Sequence, residues 1–329
     1  NYDKRFGKHD FKLTAGYESF YTKYETMWAS RDNYQFIEYP YLDMGPKINR
    51  DDSGNARENA RRSFYGRLMY NYDYRYYFQA NVRRDGASRF HKDHRWGNFP
   101  SFSAGWVVSE EKFMKNAGID WLSHLKLRGS WGILGNERIS NNYYPYQAEI
   151  KFGTPILFNG NNTEAAQSAF QDAYAVEDLT WEKTKSTDIG LDAAFFDSRL
   201  RFTAEWFKKK TEDILLAVEI PKFVGFGNPQ RNVGSMQSKG FEIDVAWSDQ
   251  IGDFSYSISA NFSDAVSKML YLNAPQFTNS NKTIRMTGSE YDEWYGYIAD
   301  GLFLTQEDLE KYPRFDETQG LGSIRFRDI

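Results

Sequence analysis

The chain has 329 residues, of which 18% are aromatic and none is cysteine, yet its mean hydropathy is −0.71. Helical membrane proteins need spans of about 20 apolar residues, and this sequence has none, so that class is excluded. The lack of cysteine excludes a disulfide framework and cysteine-ligated metals, and a formal charge of −4 does not favour nucleic-acid binding.

Nine stretches of the chain alternate apolar and polar residues, as β-strands with one apolar and one wet side do. The clearest runs from Phe254 to Ser263, with aromatic and aliphatic side chains on one face and serine or asparagine on the other. In chain order the predicted strands cover residues 9–22, 62–72, 75–85, 98–109, 123–133, 180–196, 199–213, 238–248 and 253–265. Their repetition favours the wall of a β-barrel that stands in a lipid bilayer.

The two faces of these strands differ in chemistry. One face is apolar along the strands, and its members include Phe11, Leu68, Phe102, Trp131, Leu191, Trp206 and Val245. The opposite face carries charges of both signs, among them Arg67, Lys126, Arg128, Asp188, Asp192, Glu205 and Glu242. Unpaired charge in a dry interior costs several kcal/mol, so this face must meet water or a polar filling. A sandwich with these faces as its core is therefore excluded.

The connections between the predicted strands alternate in length. Tight turns lie at residues 71–75, 196–199 and 248–253, a longer return with a short predicted helix covers 110–122, and long connections cover 23–61, 86–97, 134–179, 214–237 and 266 onward. This is the pattern of outer-membrane barrels, with the long loops extracellular. A soluble sandwich with functional loops at one end is the alternative. Nine strands cannot close a bacterial barrel, so we expect further strands from elsewhere.

The loops and strand ends carry short motifs in a fixed order. Residues 83–90 read RRDGASRF, and residues 95–101 read RWGNFPS. Further motifs follow: AGW at 104–106, SEEKF at 109–113, LKLRGSWG at 125–132, GN at 135–136, WEKT at 181–184, IGLD at 189–192, NVG at 232–234, KGFE at 239–242 and GYIADGLF at 296–303. The series resembles the signature of SusC/RagA-type TonB-dependent transporters over residues 60–329, whereas residues 1–60 fit only through their strand pattern.

The resemblance implies an all-β fold, a transmembrane antiparallel β-barrel in the cell outer membrane. Such a barrel has roughly 22 strands, of which about nine would lie in this chain, with long extracellular loops. Residues 1–329 would all belong to that one barrel domain. The signal peptide, the plug domain and the C-terminal strands would lie outside this chain.

The same resemblance implies transport and no enzymatic activity. We expect TonB-dependent import of a bulky nutrient, an oligosaccharide or a peptide, with a SusD-like surface lipoprotein as lid. TonB would be contacted through N-terminal sequence outside this chain, and the other partners would be the remaining barrel strands and outer-membrane lipid. The alternative is a passive or structural outer-membrane barrel, such as a porin-like channel or an assembly scaffold. An outer-membrane enzyme or a surface lectin is a third class.

Five loop aromatics are candidate contacts for a ligand or a lid. Tyr143, Tyr144 and Tyr146 lie in one predicted loop, and Trp294 and Tyr295 lie in another. Exposed rings suit stacking on sugars or contact with a protein lid. The alternative is that these rings pack against their own loops.

The motif that contains Arg84, Asp85, Gly86, Arg89 and Phe90 is expected to be structural. Asp85 and Gly86 offer turn geometry, because glycine accepts positive φ and aspartate bonds to nearby backbone. Strand alternation predicts that Arg84 and the arginine before it face opposite sides. The motif would thus shape an extracellular loop.

No cofactor or metal site is predicted. His91, Asp93 and His94 have a spacing that could bind a metal, but a solvated loop is the favoured interpretation. Glu110 and Glu111 are adjacent in the chain, so their side chains are expected to point apart. That arrangement does not suit a catalytic acid and base.

Overall fold

The computed structural model describes residues 1–139, 143–153, 156–157, 165–166, 168–171 and 173–327. In chain order the first strands are β1 (Tyr2–Phe6), β2 (His9–Arg31), β3 (Arg50–Tyr72), β4 (Tyr76–Ala87), β5 (Trp96–Val107), β6 (Leu122–Asn136), β7 (Ile150–Phe152), β8 (Ile156–Leu157), β9 (Ala165–Ala166) and β10 (Ala169–Gln171). The others are β11 (Glu182–Phe195), β12 (Leu200–Ala217), β13 (Gln230–Ile251), β14 (Phe254–Leu272), β15 (Gln276–Thr278), β16 (Thr283–Arg285), β17 (Glu293–Trp294), β18 (Ala299–Leu302) and β19 (Ile324–Phe326).

Helical structure is confined to short connecting pieces in the described ranges. The α-helices are α1 (Lys112–Asn116) and α2 (Gln306–Lys311), and the 3-10 turns are Leu42–Met44, Lys47–Asn49, Val108–Glu110 and Lys222–Val224. No helix in the described ranges is long and apolar enough to cross a membrane.

Ten strands form one antiparallel sheet, in the order β1-β2-β3-β4-β5-β6-β11-β12-β13-β14. Each of them neighbours the strands before and after it in this order, so the topology is a meander. The chain divides into two compact units, residues 1–266 and 267–329. The first unit holds the ten-stranded sheet up to the last part of β14. The second holds the small sheets β15-β16-β17 and β18-β19 and helix α2.

All nine predicted strands are present, and a tenth strand, β1, precedes them. It pairs with β2 from Tyr2↔Leu13 to Phe6↔His9, across a turn in which Gly7 has a φ of +57°. Strand β1 has five residues, and only the first and the last are apolar, so its sequence is too short to show the alternation that predicts a strand. The count of nine, and the argument from an odd number, are therefore wrong. The sheet is nevertheless open, because β1 and β14 end the strand order of the described residues.

Strands β2 and β3 are much longer than predicted. Their ladder continues to Arg31↔Arg50, so only residues 32–49 of the predicted 23–61 loop connect them. Polar and apolar side chains are mixed on both faces of this extension, although backbone pairing continues. Lipid demands an apolar face, whereas water tolerates either kind of side chain. The alternation therefore ends before the strand does.

The strand register joins the apolar faces into one surface. A single row of directly paired residues crosses five strands: Leu13, Leu68, Ala80, Phe102 and Trp131. The rings of Phe102 and Trp131 stack with their centroids 6.1 Å apart. Leu13, Phe102 and Trp131 of this row are exposed rather than buried. A continuous exposed apolar surface of this kind needs lipid or another apolar partner.

The opposite face is polar, and its charges pair across strands. Arg128 of β6 lies 3.2 Å from Asp192 of β11 and 2.7 Å from Glu205 of β12. Arg67 donates to Gln79 at 2.8 Å between β3 and β4. Because these side chains also stay partly exposed, both water and polar partners satisfy the charges, as the mixed signs in the sequence require.

Short turns lie at one end of the sheet and long connections at the other, as predicted. In the β3–β4 turn Asp73 and Tyr74 have positive φ, and Asn71 Oδ1 accepts a hydrogen bond from the Tyr74 amide at 2.9 Å. Residues 196–198, between β11 and β12, also have positive φ. Both turns reverse the chain within a few residues, which keeps adjacent strands in register.

A pair of substitutions in β14 tests the facing of the wall. Ile258 is the fifth residue of β14 and is 68% exposed, on the face where Phe262 packs against Phe241 of β13 with centroids 5.7 Å apart. Ile258→Arg should cost roughly 2–4 kcal/mol, because its charge would meet hydrocarbon near the bilayer midplane. Ser257→Arg, on the polar face, should be far milder. Heat-modifiable gel migration of the full-length protein after graded urea measures both, and equal losses would contradict this facing.

Candidate functional site

A buried apolar cluster joins the connections at the long-loop end of the sheet. Its members, which we call the loop core, are Ala87, Phe90, Phe99, Ile139, Val176, Leu179 and Trp181. Phe90 is fully buried, and its ring centroid lies 5.4 Å from that of Trp181. Trp181 Nε1 donates to the carbonyl of Arg95 at 2.9 Å. The loop core thus ties the β4–β5 and β6–β11 connections together.

The RRDGASRF motif reaches the loop core, but not through the predicted turn. Asp85 and Gly86 lie within β4, paired with Ser63 and Trp96, and Gly86 does not have positive φ. A Cβ atom on Gly86 would lie 2.9 Å from the Trp96 ring. The prediction of turn geometry here is therefore wrong, since this glycine allows close ring packing, and the chain turns only after Ala87.

The two arginines that open the motif face opposite sides of β4. Arg83 donates through Nε to Asp85 at 2.8 Å and through Nη2 to Glu18 at 2.9 Å, on the polar face. The guanidinium carbon of Arg84 lies 5.2 Å from the ring centroid of Trp96, on the apolar side of the sheet. Arg83 is therefore held by partners on β4 and β2, and Arg84 by a partner on β5.

Tyr143 and Tyr144 pack against the extension of β3. The guanidinium carbons of Arg57 and Arg89 lie 5.3 Å and 4.8 Å from the Tyr143 ring centroid. Tyr144 Oη accepts from the Glu58 amide at 3.1 Å and donates to the Glu58 carbonyl at 3.2 Å. This hydroxyl covers a part of β3 that β4 no longer pairs, because β4 has ended by that point.

The other three predicted aromatics lie in two places. Tyr146 meets His91 edge-on, with centroids 6.0 Å apart. In the second unit Trp294 is 78% exposed, whereas Tyr295 packs edge-on against Phe277 at 5.3 Å. The structure thus brings the three tyrosines of one loop together and keeps Trp294 and Tyr295 in a separate unit. A role for any of the five in ligand or lid contact stays a prediction.

A group of charged residues that was not predicted from the sequence lies beside Tyr143. Arg61 Nη1 of β3 lies 3.8 Å from Glu137 Oε1, just beyond β6. Burial raises the pKa of the Glu137 carboxyl, against the attraction of Arg61 and Arg89. The arginines of β3 in this group lie inside the 23–61 segment that was predicted to be a loop. Residues 57–59 and 61–62 are all polar, so no apolar alternation marks this part of β3 as a strand.

The possible metal ligands do not gather into a site. His91 Nδ1 lies 3.3 Å from Asp93 Oδ2. No group of three or more histidine or acidic side chains suited to a metal occurs among the described residues.

Glu110 and Glu111 point to different partners, as predicted. Glu110 forms an exposed ion pair with Lys115 of helix α1. Glu111 is buried and accepts from Arg75 Nη1 at 3.0 Å and Trp106 Nε1 at 3.1 Å. It also accepts from the Tyr76 hydroxyl. The hydrogen bonds from Tyr76 and Trp106, with Arg75, hold the pKa of Glu111 below its usual range.

The family model described as TonB dependent receptor-like, beta-barrel matches residues 1–319. The chain belongs to the TonB-dependent receptor β-barrel family. The ten-stranded sheet is therefore the wall of a partial transmembrane β-barrel in the outer membrane, with its long loops extracellular and its short turns periplasmic. This family comprises receptors and transporters, which confirms that the chain is not an enzyme.

Three relatives are similar over most of this TonB-dependent receptor chain. The TonB-dependent receptor P39 of Formosa agariphila is 31% identical, over 97% of this chain and 31% of the relative. The TonB-dependent receptor SusC of Bacteroides thetaiotaomicron is 31% identical, over 92% of this chain and 28% of the relative. The structure of the RagAB peptide transporter matches with a TM-score of 0.81 and 27% identity, over 92% of this chain and 33% of that chain.

These matches confirm the resemblance to SusC and RagA. They also show that the chain spans about a third of the length of the relatives it matches. The ordered motifs and the meander of strands therefore belong to one section of a longer TonB-dependent receptor barrel.

Removal of one core ring tests whether the loop core holds the extracellular loops. Phe90→Ala should destabilise the loop core by about 3–5 kcal/mol, because it empties an enclosed aromatic site. Phe113→Ala, on the exposed side of helix α1, is the matched control and should change stability by less than about 0.5 kcal/mol. Limited proteolysis of the full-length protein in membranes measures loop opening. Equal cleavage rates in the two variants would show that Phe90 does not hold the loops.

The buried carboxylate of the periplasmic return gives a pH-dependent prediction. Because the folded-state pKa of Glu111 is lowered, its contacts stabilise the protein fully above the unfolded carboxyl pKa. That contribution is lost as pH falls through the folded-state value. The urea midpoints of wild type and Glu111→Gln should therefore differ at pH 7 and converge at acidic pH, below the folded-state pKa of Glu111. Glu110→Gln is the control, and an equal difference at both pH values would contradict the assignment.

Proposed function

We propose that the whole protein imports a bulky nutrient, an oligosaccharide or a peptide, across the outer membrane by TonB-dependent active transport. The observation that carries this proposal is the similarity of its barrel wall to SusC and to the RagAB peptide transporter, over more than nine-tenths of the chain. Because the chain spans about a third of those proteins, activity and partners are assigned to the whole receptor rather than to these residues alone.

The chemistry of the wall supports passage of a polar cargo. The lumen side of the sheet carries paired charges such as Arg128 with Asp192 and Glu205, so it presents hydrogen-bonding groups to water. At the extracellular end the loop core gives the mouth a fixed shape. A rigid mouth over a polar lumen suits capture of a large hydrated ligand.

The proposed partners follow from the same relatives. A SusD-like surface lipoprotein would close over the extracellular mouth, and TonB would be engaged through N-terminal sequence outside these residues. The remaining strands of the barrel domain, together with the plug domain, would complete the channel in outer-membrane lipid. Of the five predicted contact residues, Trp294 keeps the largest exposed fraction, which makes it our first choice for contact with lid or ligand.

Uptake measurements in the native host test the import function. Deletion of the full-length gene should abolish uptake of the nutrient that the receptor transports, because the barrel is the proposed route of that nutrient across the outer membrane. Depletion of TonB should abolish the same uptake, because the transport step uses inner-membrane energy. Labelled oligosaccharide and peptide pools, followed into the periplasm, measure both effects. Uptake that needs the gene but survives TonB depletion would instead identify a passive channel.

A further inference from the structure

Three arginines gather at the extracellular end of the polar face. Arg57 and Arg89 share the ring of Tyr143, with guanidinium carbons 5.3 Å and 4.8 Å from its centroid. Arg61 and Arg89 both attract the carboxylate of Glu137, which lies 3.8 Å from Arg61 Nη1. One ring and one carboxylate thus bring together cations from β3 and from the β4–β5 connection. We call Arg57, Arg61 and Arg89 the arginine cluster.

The arginine cluster belongs to the lumen side of the wall. In the β3–β4 ladder Ser63 pairs with Asp85 on the polar face, and Arg61 lies two residues before Ser63 on the same face. Arg57 follows the same alternation, and its guanidinium carbon lies 4.6 Å from the ring centroid of Tyr24 of β2. A ligand that enters through the extracellular mouth therefore meets these side chains, whereas lipid does not.

The donors of the arginine cluster are incompletely used. The Nε atoms of Arg57, Arg61 and Arg89 are buried and have no hydrogen-bond partner, and Glu137 Oε2 is in the same condition. The whole Arg89 residue is only 8% exposed. Native proteins pair nearly all their buried polar groups, because an unpaired one carries a desolvation penalty. Three such donors, two of them beside the Tyr143 ring and the third beside Glu137, therefore indicate an acceptor that arrives from outside.

Positive charge is in excess around the arginine cluster, which also indicates an anionic ligand. Arg61 and Arg89 both act on the single carboxylate of Glu137, which is too far from Arg61 for a hydrogen bond. Arg57 contacts aromatic rings instead of a carboxylate. Burial raises the pKa of Glu137 against the attraction of Arg61 and Arg89. The neighbouring Asp85 does not supply the missing charge, because its oxygens accept from Arg83 at 2.8 Å and 3.0 Å.

We propose that the arginine cluster binds a carboxylate of the imported ligand, and that Glu137 occupies part of this site when no ligand is bound. The proposal rests on the import function above and names a chemical class of its ligands, acidic oligosaccharides or acidic peptides. Arginine suits the task because its planar fork can donate two parallel hydrogen bonds to a carboxylate. Glu137 already places a carboxylate among these side chains, which favours this group over a larger tetrahedral anion.

Binding to the purified full-length receptor tests the site directly. Isothermal titration would compare trigalacturonate, tetraglutamate and neutral maltotriose in the same detergent. We expect at least one acidic probe to bind more tightly than maltotriose, and the probe that does so distinguishes a uronic-acid source from a peptide source. Affinity for that probe should fall roughly tenfold in Arg57→Gln, because a charged hydrogen bond is removed.

Two further variants make the test specific. Glu137→Gln should raise the affinity for the acidic probe, because it removes the carboxylate that competes for the same donors. Arg62→Gln should leave the affinity unchanged, because Arg62 pairs with Gly86 on the opposite face of β3. It removes the same charge from the same strand, and so controls for general attraction. Each variant is first checked for wild-type heat-modifiable migration.

Several results would overturn the site. The proposal is refuted if neither acidic probe binds more tightly than maltotriose. It is also refuted if Arg57→Gln and Arg62→Gln weaken binding equally, because that result means diffuse attraction. If Arg57→Gln does not fold, Glu137→Gln decides alone, and an unchanged or lower affinity refutes the proposal. Titration needs no TonB, so TonB-independent uptake would refute the import function and leave this site standing. If Arg57→Gln loses binding of the acidic probe but keeps TonB-dependent uptake of a neutral nutrient, the site and the import function are each supported separately.

Discussion

A backbone in hydrocarbon has no water to bond with, so each N–H and C=O group must find a partner within the protein. The antiparallel ladder of ten strands is how this chain meets that requirement, residue by residue, from His9↔Tyr72 to Arg31↔Arg50 in its longest pair of strands. The ladder also imposes alternation, because successive side chains point to opposite sides. Only every second residue must then be apolar, which is why a chain with 26% charged residues can form a membrane wall.

The same alternation concentrates charge on the lumen side, and the wall handles that charge in two ways. In mid-wall, Arg128 is matched by Asp192 and Glu205 on neighbouring strands, so attraction across the ladder compensates for partial burial. At the extracellular mouth, Arg89 is more deeply buried and has only a distant carboxylate in Glu137. The first arrangement stabilises the wall by itself, whereas the second leaves donors available to a ligand.

Beyond the bilayer the constraint changes, and so does the architecture. Here β2 and β3 continue as a paired ribbon, but the loops around them need their own apolar interior. Phe90, Phe99 and Trp181 supply it, with aromatic rings at centroid distances of 5.2–5.4 Å. This explains why a motif rich in arginine shapes the extracellular end of the barrel: its polar residues bind the strands, and its phenylalanine packs into the loop core. Tyr144 connects its own loop to the sheet, because its hydroxyl forms hydrogen bonds with the unpaired edge of β3.

The sequence by itself determined the nine longest wall strands, their two faces and the end at which the long loops lie, because lipid imposes a period of two that remains visible in the residues. It did not reveal β1 or the outer parts of β2 and β3, where water places no such demand on either face. The turn expected at Gly86 is strand instead. A glycine stands there because the ring of Trp96 occupies the space that a side chain would need. Only the tertiary structure decided that Arg57, Arg61 and Arg89 gather beside Tyr143 and Glu137. Strand register and the path of separate loops bring distant residues together, and neither is written in a local pattern.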